Sequence, residues 1–340
     1  MDGRITLDDL ARALSLSKFS VSRALSGKPG VSPKTRDRVV QAARDMGYNH
    51  AATHDTRPIE QRNIRLIIPS ADAIKSSFWI EVIDGAENEA RRLGYRLTTL
   101  VLGADGAPWL PDEQVAGLVL AGRRSRGLLE PYIQLSIPKV LIGHPRPMEM
   151  LDSVQSANFD CGFAAGKVLG DNGHTRIAYF TDAPDDEGRN LRHAGIVEAM
   201  RLCGGEVKTF GFDEGREAKT MSLEALRDGF RPTAFACATD FVAISLAWGL
   251  LELGLQVPKL VSVIGSNDSH TATSLGLRLT TVRQPVTEIG ATAIQTLHWR
   301  LHSAAPDARP RRTLLTPQMI ERATHGPCNE EGLRHAVDTL

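Results

Sequence analysis

TLDDLARALSLSKFSVSRALSG, Thr6–Gly27, is the stretch that decides the fold of the amino-terminal region. Thr6 is a good N-cap, and Asp9 stands at the third helical position, where a carboxylate favours the positive end of the helix dipole. Leu7, Leu10, Ala11 and Leu14 recur at helical spacing and give the first helix one apolar face. Ser15 and Leu16 make a tight turn, and Ser17 caps a second short helix with Val21, Ala24 and Leu25 inward. Lys18, Phe19, Ser20, Ser22 and Arg23 occupy that helix's opposite face and amino end. Two short helices so joined form a helix-turn-helix, its second helix sized for a DNA major groove.

A third helix follows. Ser32 caps it, Pro33 takes the tolerated first position, Val39, Val40, Ala43 and Met46 form its apolar stripe, and Gly47 ends it. The three stripes together make one small core. Residues 1–50 hold nine basic side chains against five acidic ones, a net +4 in a chain whose total charge is zero. A basic head on an acidic remainder keeps phosphate contacts local and discourages the body from lying on DNA. A small helical bundle that binds protein is the alternative reading of the same pattern.

The run from Ile5 to Tyr48, with VSRALSG followed by VSPKTRDRV, resembles the LacI/GalR family of bacterial transcription regulators. Weaker family-like segments recur to about Thr324, so the likeness spans nearly the whole chain. The resemblance implies that Lys18 and Phe19 set operator sequence. Lysine favours guanine or phosphate, and phenylalanine offers apolar contact, for example to a thymine methyl. Burial in the headpiece core is the other possibility for Phe19. Arg23 is the strongest candidate for base reading, because a planar guanidinium takes guanine O6 and N7 together. Thr6, Ser17 and Ser22 can hydrogen-bond phosphates, positioning the head without reading sequence. One headpiece covers too few base pairs for useful specificity, so a homodimer on a near-palindromic operator of double-stranded DNA is expected.

Residues 51–63, AATHDTRPIEQRN, are polar and carry a helix-interrupting proline; they form a linker. In the family this segment is a hinge that becomes helical on DNA and wedges a leucine into the minor groove. Here the lever position falls on Arg57, and no leucine lies between Tyr48 and Pro58. An arginine suits a narrow minor groove by charge but cannot unstack a base step. His50 and His54, four apart, are polar linker in the absence of further ligands, so no metal is expected.

From Ile64 the pattern changes. IRLII, RLTTLVL, VAGLVLAG and KVLIG are short apolar strands, with an amphipathic helix from about Phe78 to Leu93 closed by Gly94. RIAYF, VKTFGF, AFACA and LVSVIGS repeat the scheme, with helices at about 160–172, 188–203 and 240–253. Such alternation is α/β: two doubly wound parallel sheets with covering helices, following an all-α headpiece. The resemblance adds a periplasmic-binding-protein-like arrangement with three crossovers between two lobes. It also likens LLTPQMIERAT to the family's closing strand. Between the second and third strands lies only GADGAPWLPDEQ, 103–114, too short for a full helical crossover, so this lobe is expected to lack one covering helix. The organisation expected is a headpiece over 1–50, a hinge over 51–63, a two-lobed effector-binding and dimerisation domain over 64–324, and a tail over 325–340 long enough for one short helix.

Ligands of such folds bind beyond the carboxyl ends of parallel strands. Ser76, Phe78 and Trp79 follow the first strand, and an aromatic platform there suits a sugar ring or planar base. Arg192 matches the family arginine that clamps effector hydroxyls or carboxylates. Thr239 and Asp240 end AFACA, Asn267 and Asp268 end LVSVIGS, and Gln284 lies near the final crossover. Asp240 and Asp268 are equally good helix caps. An amide at 267, where the family commonly has an acid, removes one charged acceptor for a hydroxyl-rich, sugar-like effector.

Composition bounds the rest. The chain has 340 residues, 42% of them hydrophobic, with no long apolar run and no basic-then-apolar leader, which points to a cytoplasmic protein without membrane partners. Cys161, Cys203, Cys237 and Cys328 lack CxxC or zinc spacing and read as buried reduced thiols. No GxSxG, P-loop, HExxH or GxGxxG occurs, so neither enzyme activity nor a cofactor is expected. Without its first fifty residues the chain would read as a small-molecule binding protein or an α/β enzyme.

Overall fold

The computed structural model describes residues 7–25, 31–46, 63–68, 77–102, 115–122, 126–274, 276–303 and 308–340. Thr6, Arg57, Ser76, His50, His54 and the short 103–114 segment lie outside the described residues, and with them the lever and missing-helix expectations.

Three helices open the chain: α1 Leu7–Leu14, α2 Lys18–Leu25 and α3 Pro33–Asp45. Leu10, Ala11, Val21, Ala24, Val39 and Ala43 form their shared core, with Leu14, Leu16 and Met46 packed against it. Ser15 ends α1 in the left-handed region (φ +53°), and the Leu16 amide returns to the Ala11 carbonyl at 3.0 Å. Ser17 and Ser32 cap the next two helices through the amides of Ser20 (3.0 Å) and Thr35 (3.1 Å).

Among the described residues the body holds two six-stranded sheets, the first in the N-lobe and the second in the C-lobe. The first contains β1 Asn63–Ile68, β2 Arg96–Val101, β3 Gly117–Ala121, β4 Lys139–Ile142, β5 Asp152–Ser156 and β11 Arg312–Leu315, in the order β11-β5-β4-β3-β1-β2, all parallel. The second contains β6 Arg176–Thr181, β7 Glu206–Gly211, β8 Ala234–Cys237, β9 Ser262–Asn267, β10 Thr280–Arg283 and β12 Gln318–Ile320, in the order β12-β10-β9-β8-β6-β7. Among the described strands of this sheet, β12 alone runs antiparallel to its neighbour. Between the N-lobe sheet and the C-lobe sheet the chain passes three times, at Ala157, at Gln284–Pro285 and at Thr316–Pro317. The Ala157 amide bonds the Leu315 carbonyl at 2.8 Å, tying the first passage to the third. The closing strand expected as one piece is therefore two. Pro317 has no amide to continue a ladder, and the chain changes sheet there.

Burial follows the alternation of the strands. In the N-lobe, Ile64, Leu66 and Ile68 face α4 Ser77–Arg92 and α11 Val286–His302, whereas Ile67, Leu118 and Leu120 face α5 Arg126–Ile133. In the C-lobe, Ile177 and Tyr179 face α6 Asn158–Asp171 and α7 Glu187–Leu202. Ala178 and Phe180 face α8 Ala218–Arg227 and α9 Asp240–Glu252 on the other side. The short α10 spans Thr271–Ser274. The tail forms α12 Glu330–Asp338, which seats Leu333, Ala336 and Val337 on the α8/α9 core. Cys161 and Cys237 are buried, but Cys203 is exposed and Cys328 intermediate, which corrects the expectation of four buried thiols.

His174 is 2% exposed. Its Nδ1 lies 2.9 Å from Thr233 Oγ1, and its Nε2 lies 2.9 Å from Ser262 Oγ and 3.1 Å from the Gly326 carbonyl. Burial lowers its pKa, against the pull of the Gly326 carbonyl, so the folded protein holds it neutral. The unfolded chain then binds the extra proton. This contribution to stability is intact above the ordinary histidine pKa and is lost as pH falls below it. Urea midpoints should decline from pH 7.5 to 5.5, with His174 adding a slope of at most ~1.4 kcal/mol per pH unit. That share of the slope should vanish in His174→Gln; an unchanged slope would refute the assignment.

Candidate functional site

On the headpiece, capping fixes α2 and leaves its outer face available. Phe19 is 68% exposed, so it belongs to that face and not to the core. The Arg23 guanidinium stands over the Phe19 ring, 5.1 Å from its centroid. Lys18 Nζ meets Asp8 Oδ2 of α1 at 2.9 Å. Both partners are exposed, so the pair contributes about 1 kcal/mol or less and is readily exchanged for a phosphate or a guanine edge. The Ser17 and Ser20 hydroxyls lie 2.8 Å apart, and Ser22 is half-buried on α2. An aromatic ring, an arginine and a lysine thus share one short, solvent-facing helix.

The second candidate lies at the carboxyl ends of the strands, where all three passages between the lobes occur. From the N-lobe, Phe78 and Trp79 open α4 with ring centroids 5.2 Å apart and edge to face. Both are half-buried against the N-lobe core, and Trp79 packs beside Gly122, just beyond β3. From the C-lobe, Arg192 of α7 donates to Ser266 Oγ at 3.1 Å and to the Ala238 carbonyl, so its guanidinium is pinned at the ends of β8 and β9. Asn267 Oδ1 accepts from Gln284 Nε2 at 2.6 Å, joining the end of β9 to the second passage.

Three expected ligands are engaged elsewhere. Thr239 caps α9, accepting from the Val242 amide at 3.3 Å. Asp240 is 1% exposed; its Oδ2 accepts from the Ser269 amide at 2.6 Å and its Oδ1 from the Thr281 hydroxyl. Burial raises its pKa while these hydrogen bonds lower it. Asp268 is bracketed by Arg283 (2.7 Å) and Arg322 (2.6 Å). These contacts tie both carboxylates into the C-lobe. They also hold Asn267 (φ +125°) and Asp268 (φ +56°) in a backbone region that costs about 1–3 kcal/mol per residue outside glycine.

Several further polar contacts near these residues have no signal in the sequence. Asn158 Nδ2, at the first passage, lies 3.1 Å from His144 Nε2, which follows β4 in the other lobe. Asn158 Oδ1 is buried with no hydrogen-bond partner among the described residues. Arg189 pairs with Asp182 at 2.7 Å. None of these contacts has a local spacing that would reveal it. Among the described residues no group of three His, Cys, Asp or Glu is placed to hold a metal. Burial pushes the Cys161 and Cys237 thiols up, Cys237 well above the ordinary range, which makes both poor nucleophiles.

Residues 6–50 match the profile of bacterial regulatory proteins, lacI family, and residues 167–325 match that of the periplasmic binding protein-like domain. The transcriptional repressor CytR of Escherichia coli is 30% identical over 308 residues, covering 85% of this chain and 87% of its own length. The ribose operon repressor of Haemophilus influenzae is 26% identical over 327 residues, covering 93% and 97%. Among solved structures, the transcriptional regulator CelR in complex with cellobiose has a TM-score of 0.66 at 23% identity, covering 94% of this chain and 100% of that one. A lac repressor dimer bound to operator and an anti-inducer also has a TM-score of 0.66, at 20% identity, covering 95% and 99%. At these identities the two structures share the fold.

Proposed function

The chain belongs to the lacI family of bacterial regulatory proteins, and from that premise we propose that it is a cytoplasmic repressor, not an enzyme. It binds a near-palindromic operator as a homodimer and answers to a small, polar, sugar-like effector held between its lobes. The observation that carries this reading is the exposed Phe19 ring with the half-buried Arg23 guanidinium over it on a capped helix, in the same chain as a two-lobed α/β body. Headpiece 1–50, hinge 51–63, effector domain 64–324 and tail 325–340 divide the labour. Selection from a random duplex library at fixed salt tests the reading. An enriched near-palindrome supports it; no enrichment, with and without pooled sugars and nucleosides, overturns it.

Arg192, Asn267, Gln284, Phe78 and Trp79 form the effector wall. The unpartnered acceptor Asn158 Oδ1 favours a hydroxyl-bearing ligand, since a buried acceptor needs a donor. The effector shifts the lobes through the three passages and changes DNA affinity only by its differential binding to the two states. Arg192→Ala should weaken effector binding ~10- to 100-fold, the value of a hydrogen bond to a charged group. The readout is the ligand-induced rise in thermal midpoint with sugars and nucleosides. Operator binding without ligand should stay at wild-type strength; an undiminished rise would refute the role.

A further inference from the structure

The linker enters β1 at Asn63, so the headpieces are tethered to the amino edge of the N-lobe sheet. Because the strands are parallel, that edge is lined by Asn63, Arg96, Lys139, Asp152 and Arg312, with Arg309 and Arg311 just before β11. The last turn of α4 delivers Arg91 and Arg92 to the same edge, and the last turn of α11 delivers Arg300 and His302.

The two buried acids there are already neutralised. Glu89 is held by Arg92 (2.6 Å), which with burial opposing keeps its carboxyl below the usual range, and Asp152 is held by Arg300 (2.8 Å). Arg91, Arg96, Arg309, Arg311 and Arg312 are all exposed, and none is paired with a carboxylate among the described residues. Arg91 donates to Asn88, Arg311 lies 3.4 Å over the Trp299 ring, and Arg312 donates to the Arg146 carbonyl. Glu87, further back on α4, is the nearest acid along that helix without such a partner. The matching edge of the C-lobe sheet mixes signs instead: Arg176 pairs with Glu330, Lys208 pairs with Asp228, and Glu206 opens β7.

We propose that the amino edge of the N-lobe sheet is a second DNA surface, taking backbone phosphates of the duplex that flanks the operator. Five strand spacings separate Arg312 from Arg96, about 24 Å. Duplex rises 3.4 Å per base pair, so the edge matches roughly seven base pairs. Guanidinium groups spread along strand and helix ends, with no helix presented to enter a groove among those described at this edge, suit backbone phosphates. The net acidity of the body, expected to keep it off DNA, conceals this cationic border. The inference rests on the operator reading.

The test uses the full-length protein and two duplexes: the selected sequence at about 20 base pairs, two half-sites one turn apart, and the same sequence with twelve random base pairs added on each side. The expected result is a flank gain of about tenfold at 50 mM salt, with a log–log salt slope steeper by ~0.9 per phosphate engaged. Arg91→Gln, Arg96→Gln and Arg309→Gln combined should abolish that gain and leave the short duplex bound as by wild type. The same three positions as lysine should keep it. Equal affinity of the wild type for both duplexes overturns the inference alone, as does a glutamine variant that retains the gain. A glutamine variant that loses the short duplex with an unchanged thermal midpoint overturns the assignment to flanking DNA. No binding to the short duplex by the wild type overturns the operator reading and this inference with it.

Discussion

Gly162→Ala should lower the thermal midpoint of the C-lobe by about 5 °C or more and weaken effector binding at the same time. A Cβ at Gly162 on α6 would overlap the Arg192 carbonyl oxygen on α7, and one at Gly195 on α7 would overlap the Phe159 carbonyl on α6. Backbone meets backbone at both points, so no side chain can swing away and the helices have to separate. Overpacking of this kind costs about 1–3 kcal/mol, at times more, and each kcal/mol lowers the midpoint of a domain this size by ~2–4 °C. The obstructing carbonyl belongs to Arg192 itself, so separating the helices also moves the guanidinium off Ser266 and Ala238. The N-lobe offers a control in kind. Gly85 and Gly290 make the same crossing between α4 and α11, against the carbonyls of Thr287 and Val82. Gly290→Ala should cost comparable stability without moving Arg192. Gly229→Ala, with open space around its Cβ, should be near neutral. A Gly162→Ala protein of wild-type stability would show that the two helices are not in this close register.

What was legible in the sequence was what local chemistry decides. Serine caps, a proline at a first helical turn and continuous apolar strands located the headpiece and most of both sheets. LVLA in β3 is buried throughout, as expected of a parallel strand covered on both faces. β5 was missed because DSVQS carries almost no apolar signal. It is nonetheless interior, with Ser153 0% exposed and Asp152 neutralised by Arg300, a residue 148 positions away. α5 was missed because Pro131 lies inside it. In the cleft, the sequence singled out Arg192, Asn267, Gln284, Asp240 and Asp268 but not the partners that each would meet. Arg283 and Arg322 reach Asp268, and Thr281 and Ser269 reach Asp240. Those partners arrive from other strands, so no spacing along the chain announces them.

Arg23→Ala should have the largest effect on DNA recognition, and it should be selective. A bidentate arginine–guanine contact contributes about 1–3 kcal/mol of discrimination, and a dimer makes it twice. Specific affinity should therefore fall by about 2–6 kcal/mol, at one base pair per half-site, while affinity for random duplex changes little. The geometry before binding supports an effect in the upper part of that range. Stacking over the exposed Phe19 ring is worth roughly 0.5–1 kcal/mol; it restricts the guanidinium before binding and lowers the ordering cost. Phe19→Ala should accordingly lose affinity in two ways: one apolar contact is removed, and Arg23 is freed to sample other rotamers. Its loss should remain smaller than that of Arg23→Ala. The measurement is competition of selected against random duplex at one salt concentration, repeated on a panel substituted at each operator position. For Arg23→Ala, the preference should flatten at a single symmetric pair of positions and persist elsewhere. A uniform loss on both duplexes, with a salt slope lowered by about one per headpiece, would instead make Arg23 a phosphate contact. In that case base reading on this helix would fall to Lys18, whose salt bridge to Asp8 would have to open first.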